Sequence, residues 1–134
     1  MFSHVMVGSN DIERSKRFYD AIFSAVGGKP GRSDEKGRLA YLHNGSVFMV
    51  SPPIDGQAAS HGNGSTIGIA LDGPEQVHAW HEAGAAAGGT AIEDPPGLRQ
   101  GSFGPLYLAY LRDPDGNKLC ALHRVPVQSD TASS

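Results

Sequence analysis

A single cysteine, Cys120, stands among 134 residues. One thiol excludes an intrachain disulfide and fits a reducing compartment, so a cytoplasmic location is the expectation. Aromatic residues are scarce, at 7%. Neither charge dominates: 11 Lys and Arg against 14 Asp and Glu give a net charge of −3, with the signs interspersed. Without a basic run or patch, nucleic acid is not an expected partner. No apolar stretch approaches the roughly 20 residues of a membrane span. The opening "MFSHVMVGSND" lacks the charged-then-apolar layout of a secretion signal, so neither secretion nor membrane attachment is expected. What is present suffices for a core: 39% of the residues are hydrophobic. Gly (18) and Pro (9) are frequent, which predicts short, often interrupted elements. The expectation is one domain over 1–126, then a disordered polar tail over 127–134.

Phe2, His4 and Met6 alternate with Ser3, Val5 and Val7 as in a strand. A helix is predicted to start at Asn10, with Glu13 completing a capping box. Its apolar stripe is Ile12, Tyr19, Ile22, Phe23 and Val26, and Gly27-Gly28 end it. After a polar loop, "RLAYLH" and "SVFMVS" flank Asn44-Gly45, the strongest two-residue hairpin signal. Residues 52–65 form a flexible crossing loop. The pattern then restarts with the strand "TIGIALD" and a helix opened by Pro74, carrying Val77, Trp80, Gly84 and Ala87 on one stripe and closed by Gly88-Gly89. "TAIED", a Pro/Gly loop over "EDPPGLRQGSFGP", "LYLAYLR", the turn "DPDG" and "NKLCALHR" complete it.

A shift of 62 places Val5 on Ile67, Val7 on Ile69, Phe18 on Trp80, Gly27 on Gly89 and His4 on Thr66. One residue less would flip the strand faces. The chain is therefore expected to be α+β, with two βαβββ modules over about 1–51 and 66–124. Each helix covers the Val5/Val7 or Ile67/Ile69 side of its sheet, leaving the other face open. Two such half-covered sheets form an open concave trough, a natural small-ligand site. On its face lie His4, Met6, Thr66, Gly68, either Phe48 or Met49, and either Cys120 or its neighbours.

The segments "HVMVGSNDIERSKRFYDAIF" and "LRDPDGNKLCAL", with the two Gly-Gly helix ends, resemble the vicinal oxygen chelate superfamily of glyoxalases, bleomycin resistance proteins and extradiol dioxygenases. The resemblance spans residues 2 to about 124 and is closest to uncharacterised glyoxalase-like members. It implies that metal-dependent relatives would take ligands at the positions of His4, Thr66 and Cys120. His4 keeps the family's residue type, while Thr66 stands for a His and Cys120 for the Glu of "DPDGNxxE". One imidazole, a hydroxyl and a thiol do not meet the demands of iron or magnesium. Zinc would need more than two strong ligands.

Two readings follow. In the first, the protein binds a small molecule in the trough with a degenerate ligand set and no metal. In the alternative, it is a metal-dependent lyase or dioxygenase with a rearranged set, holding a divalent ion. His4 would serve as pocket cap, general base or the one retained ligand. Arg99 is placed to hold a carboxylate or phosphate, and Phe103 to stack on a flat substrate. His43, His61, His78 and His81 are candidates for a substitute ligand. A homodimer around the trough is implied as well.

Overall fold

The computed structural model of the chain describes residues 1–126; the proposed tail over 127–134 lies outside them. The elements run β1 (His4–Gly8), α1 (Ile12–Ser24), β2 (Arg32–Ser33), β3 (Leu39–His43), β4 (Ser46–Ser51), β5 (Ile67–Ala70), α2 (Pro74–Ala86), β6 (Thr90–Gly101), β7 (Gly104–Arg112) and β8 (Lys118–Arg124). They form two four-stranded sheets with the same plan, β1-β4-β3-β2 and β5-β8-β7-β6. In each, the first strand runs parallel to the last and the remaining pairs are antiparallel. The repeated βαβββ module is thus present.

Helix α1 buries Ser15, Phe18, Tyr19, Ile22 and Phe23, the three-and-four spacing of one stripe. Its cap is Asp11 rather than Asn10: the Asp11 carboxylate accepts from the Arg14 N–H. A carboxylate at this position also complements the helix dipole. Helix α2 starts from Gly73 with Pro74 in its first turn and no side-chain cap, and buries Val77, Trp80 and Gly84. Gly27 (φ +85°) and Gly88 (φ +101°) take the left-handed conformation that ends each helix. Those two glycines are the equivalent pair, so the expected match of Gly27 with Gly89 is off by one. The repeat is 62 along the strands and 61 at the helix ends.

Asn44 and Gly45 both have positive φ (48° and 81°), as the expected tight turn between β3 and β4 requires. The segment "EDPPGLRQGSFGP" is not a loop. It forms most of β6 and a turn into β7, paired from Gly97↔Leu108 to Gly101↔Gly104. A register shift between Ile92 and Gly97 leaves Glu93 to Pro96 unpaired. The two prolines sit where the ladder asks for no N–H, which is why a Pro-rich stretch can lie within a strand.

Each helix covers its own sheet, and the modules meet through α1 against α2. One core runs through both, from Val7, Phe18 and Tyr19 to Trp80, Leu111 and Leu119. The helices approach closely at Gly84, where an added methyl would collide with Leu111 and stand 3.0 Å from Ile22 and 3.3 Å from Phe18. A polar latch reinforces the contact. The buried Asp113 carboxylate accepts from Tyr19 Oη (2.5 Å) and Asn117 Nδ2 (2.8 Å), and also from the N–H groups of Asp115 and Asn117 (both 2.9 Å). Asp115 accepts from Arg14 (2.8 Å), the Asn10 N–H (3.0 Å) and Ser15 (3.3 Å), while Asn117 Nδ2 donates to Gly8 O (3.2 Å). The "DPDGN" turn of the second module is thereby bound to the start of α1. Burial, then the neighbouring Asp113 carboxylate, pushes the Tyr19 hydroxyl pKa well above its ordinary value, so Tyr19 acts as a donor.

Candidate functional site

Strand registry defines the sheet faces turned away from the helices. On the first sheet, His4, Val47 and Leu42 form one row and Met6, Met49, Ala40 and Arg32 the next. Phe48 pairs with Val5 and Tyr41 on the helix side, so Met49 is the outward residue of the two alternatives. On the second sheet, Gly68, Cys120, Tyr110 and Ile92 make a row, with Ala70, Leu122, Leu108 and Gly97 beside it. Cys120 therefore faces away from α2, while its neighbours Leu119 and Ala121 are fully buried in the core. Thr66 stands just before β5, exposed, one residue from the Ile67↔Leu119 pair.

The chain thus brings Thr66, Gly68 and Cys120 to one face of the second sheet and carries His4 and Met6 on the first. Arg99 pairs with Leu106 near the far end of the second sheet, and Phe103, 90% exposed, sits at the tip of the β6–β7 turn. The Arg99 guanidinium donates to the carbonyls of Asp94 (3.1 Å) and Pro95 (2.9 Å), bracing the unpaired bulge.

Around Cys120 the structure gathers groups that sequence alternation did not single out. Glu93, at φ +61° in the bulge, forms an ion pair with Lys118. The Lys118 ammonium lies 5.0 Å from the centroid of the Tyr110 ring. Cys120 is itself only 5% exposed and donates to Ala121 O at 3.5 Å. Burial raises its thiol pKa, with Glu93 adding to the rise and Tyr110, Lys118 and Arg99 opposing it. A protonated, buried thiol is a poor nucleophile.

The other histidines have structural partners. His43 faces the helix side, 5.8 Å from the Phe23 ring, and its Nε2 lies 3.1 Å from Ala70 O. His78 meets Tyr107 Oη at 2.6 Å. Its ring is exposed but held by that contact. His61 packs on Gly116, where its Nδ1 would lie 2.7 Å from an added Cβ. Burial, then the neighbouring His78, lowers the His81 pKa.

Two cavities adjoin these faces. One, of about 280 Å³, lies between the modules and is lined by His4, Phe23, His43, Phe48, Gly68 and Ala70 among others. The other, of about 730 Å³, is formed by Met6, Gly8 and Ser51 with Lys36 and Arg38 of the β2–β3 turn and residues 52–60 of the crossing loop. The first unites His4 with Gly68; the second contains Met6; Thr66, Arg99, Phe103 and Cys120 line neither. Lys36 and Arg38 lie in what reads from sequence as a polar loop, and no periodic signal marks them.

A metal fits poorly in one chain. Among the described residues no three His, Cys, Asp or Glu side chains come together. The Cys120 thiol is held protonated by burial, whereas a metal ligand must be a thiolate. Thr66 offers only a neutral hydroxyl.

The matching family model, the glyoxalase/bleomycin resistance protein/dioxygenase superfamily, covers residues 1–121. Among curated proteins no sequence matches significantly. Among solved structures, a glyoxalase/bleomycin resistance protein from Albidiferax ferrireducens T118 is 58% identical, with a TM-score of 0.89 over 92% of this chain and 99% of that one. A glyoxalase-related enzyme from Fulvimarina pelagi shares the fold at 23% identity and a TM-score of 0.69, over 97% and 94% of the two chains. So does a glyoxalase/bleomycin resistance protein/dioxygenase family enzyme from Burkholderia phytofirmans PsJN, at 18% identity and a TM-score of 0.66, over 92% and 98%. A duplicated βαβββ fold, a family match over nearly the whole chain and a 58% identical relative matched over almost all of its own length together establish that this chain belongs to the glyoxalase/bleomycin resistance protein/dioxygenase superfamily.

Proposed function

We propose that the protein binds a small molecule against the outward sheet faces without a metal, and that a second copy of the chain supplies the opposite wall of the trough. The observation that carries this reading is the uncovered apolar surface on the first sheet. Met6 is 42% and Leu42 71% exposed on its outward face, and Phe2, just ahead of β1, is 80% exposed, whereas the helix-side residues Leu39 and Val50 are fully buried. Apolar surface left open on one side of a sheet marks an interaction or ligand site. In this chain the modules are joined by their helices, and the crossing loop walls only the Met6 end of the first sheet's outward face, leaving Leu42 uncovered.

In this reading His4 caps the pocket and donates to or accepts from the ligand. Thr66, Gly68 and Cys120 shape the second wall, with the Tyr110 hydroxyl as a polar contact. Arg99 holds the bulge and Phe103 covers the mouth. The family's metal positions survive as packing and hydrogen-bonding groups.

Calorimetric titration with Ni2+ tests the ligand set. The wild type should show no stoichiometric binding, and Thr66→His with Cys120→Glu should create a one-to-one site. Tight binding by the wild type would instead favour a metal-dependent lyase or dioxygenase. A silent double variant would mean that the positions of His4, Thr66 and Cys120 do not meet, in one chain or in two.

The assembly has its own test. Light scattering at micromolar concentration should give a dimer for the wild type and a monomer for Leu42→Glu, which puts a charge on the outward face. A monomeric wild type rejects the shared trough.

A further inference from the structure

The cavity of about 730 Å³ falls in the size range of small-molecule sites, and its lining is chemically divided. Met6, Pro52, Pro53, Ile54 and Ala59 supply an apolar floor and wall, while Lys36 and Arg38 stand on one side. We infer that this cavity takes a small organic anion with an apolar body, such as an aromatic carboxylate, the anionic end meeting Lys36 and Arg38 and the body lying on Met6 and the loop prolines. The inference rests on the reading of the first sheet's outward face as a ligand wall and adds the class of ligand to it.

The β2–β3 turn fixes the backbone at Lys36 and the guanidinium of Arg38 before any ligand arrives. The Asp34 carboxylate accepts from the N–H groups of Lys36 and Arg38 (both 2.9 Å) and from Arg38 Nε (2.6 Å). Binding through Nε orients the guanidinium plane, and among the described residues its terminal nitrogens take no partner. Lys36 makes no ion pair among the described residues. The one acid in the lining, Asp55, turns a carboxylate oxygen back to the Gln57 N–H (2.9 Å) within its own loop. Arg32 adds a third cation at the end of the Met6, Met49 and Ala40 row. Arg38 is balanced by Asp34, so what favours an anion here is the Lys36 ammonium, unpaired among the described residues, and the open terminal nitrogens of Arg38 as charged donors beside an apolar floor, in a chain whose net charge is −3. An organic cation of the same shape would lose the charged contacts and face repulsion.

The test uses two probes of one shape, 1-naphthoate and its neutral isostere 1-naphthamide, titrated into the full chain with amide chemical shifts as the readout. Naphthoate should bind about tenfold more tightly than the amide, since hydrogen bonds to charged groups carry that much. The largest shifts should fall at Gly8, Ser51, Ile54 and Ala59. Lys36→Gln, at an exposed turn position, should remove most of the difference between the two probes. Equal affinity for the two probes, no effect of Lys36→Gln, or no binding of either probe would overturn the anion assignment. Shifts confined to His4, Gly68 and Cys120 would overturn it too, yet leave the trough reading standing.

Discussion

Asp113→Ala is expected to lower the unfolding free energy by about 3–5 kcal/mol, the usual cost of removing one partner from a buried charged network. Four donors converge on this one carboxylate, and the residue is 3% exposed. Alanine would leave the buried Tyr19 hydroxyl and the Asn117 backbone N–H without their acceptor and the Asn117 amide with Gly8 O alone, in a place where water has little access. The loss reaches beyond the turn, because Tyr19 lies on α1 and Asn117 on the second module. Asp113→Asn keeps an acceptor oxygen and should cost clearly less. Urea unfolding measures both; a midpoint shift with an unchanged slope would mark a true stability loss. A cost below about 1 kcal/mol for the alanine variant would show that the modules do not depend on the latch.

Phe18→Ala and Trp80→Ala should each cost about 3–5 kcal/mol through cavity formation. Both side chains are fully buried and occupy equivalent sites in the two helices. Phe18 does more than pack on its own sheet. Its ring edge would stand 2.5 Å from a Cβ added at Gly89 and 3.3 Å from one at Gly84, so it fills the space that these glycines, in α2 and just after it, leave open. Its removal should loosen the contact between modules as well as the first core. Trp80 carries an indole N–H with no hydrogen-bond acceptor among the described residues. Trp80→Phe removes that unpartnered donor along with some volume, and should cost less than half of Trp80→Ala. Thermal and urea unfolding of the three variants decide it, and losses below about 1 kcal/mol at both alanine positions would mean the helices do not carry the core.

The βαβββ plan was legible because it is written in local terms. Alternation on the strands, stripes at three-and-four spacing on the helices, Asn44-Gly45 and the glycine helix ends each express a backbone preference that needs no distant partner. Alternation left open whether Cys120 or its neighbours face outward; the burial of Leu119 and Ala121 in the core is what turns Cys120 away from α2. Two things escaped. A Pro-Pro pair reads as a strand breaker, and only the bulge against β7, which removes the demand for two N–H groups, lets Thr90–Gly101 be one strand. The choice between Asn10 and Asp11 as cap was equally hidden, because Asn10 is drawn instead to Asp115 and to the crossing loop at Ala59.

Periodicity assigned residues to faces, but it could not say which faces meet. That His4 and Cys120 lie on different sheets, that the modules join through α1 and α2, and that the "DPDGN" turn serves as a latch all depend on contacts about 50 to 109 residues apart. Lys36 and Arg38 line a cavity only because the crossing loop lies over Met6 and Gly8 beside them. Side-chain chemistry is carried by the residues themselves. Its convergence into a site is set by long-range packing, whose energy no local pattern records.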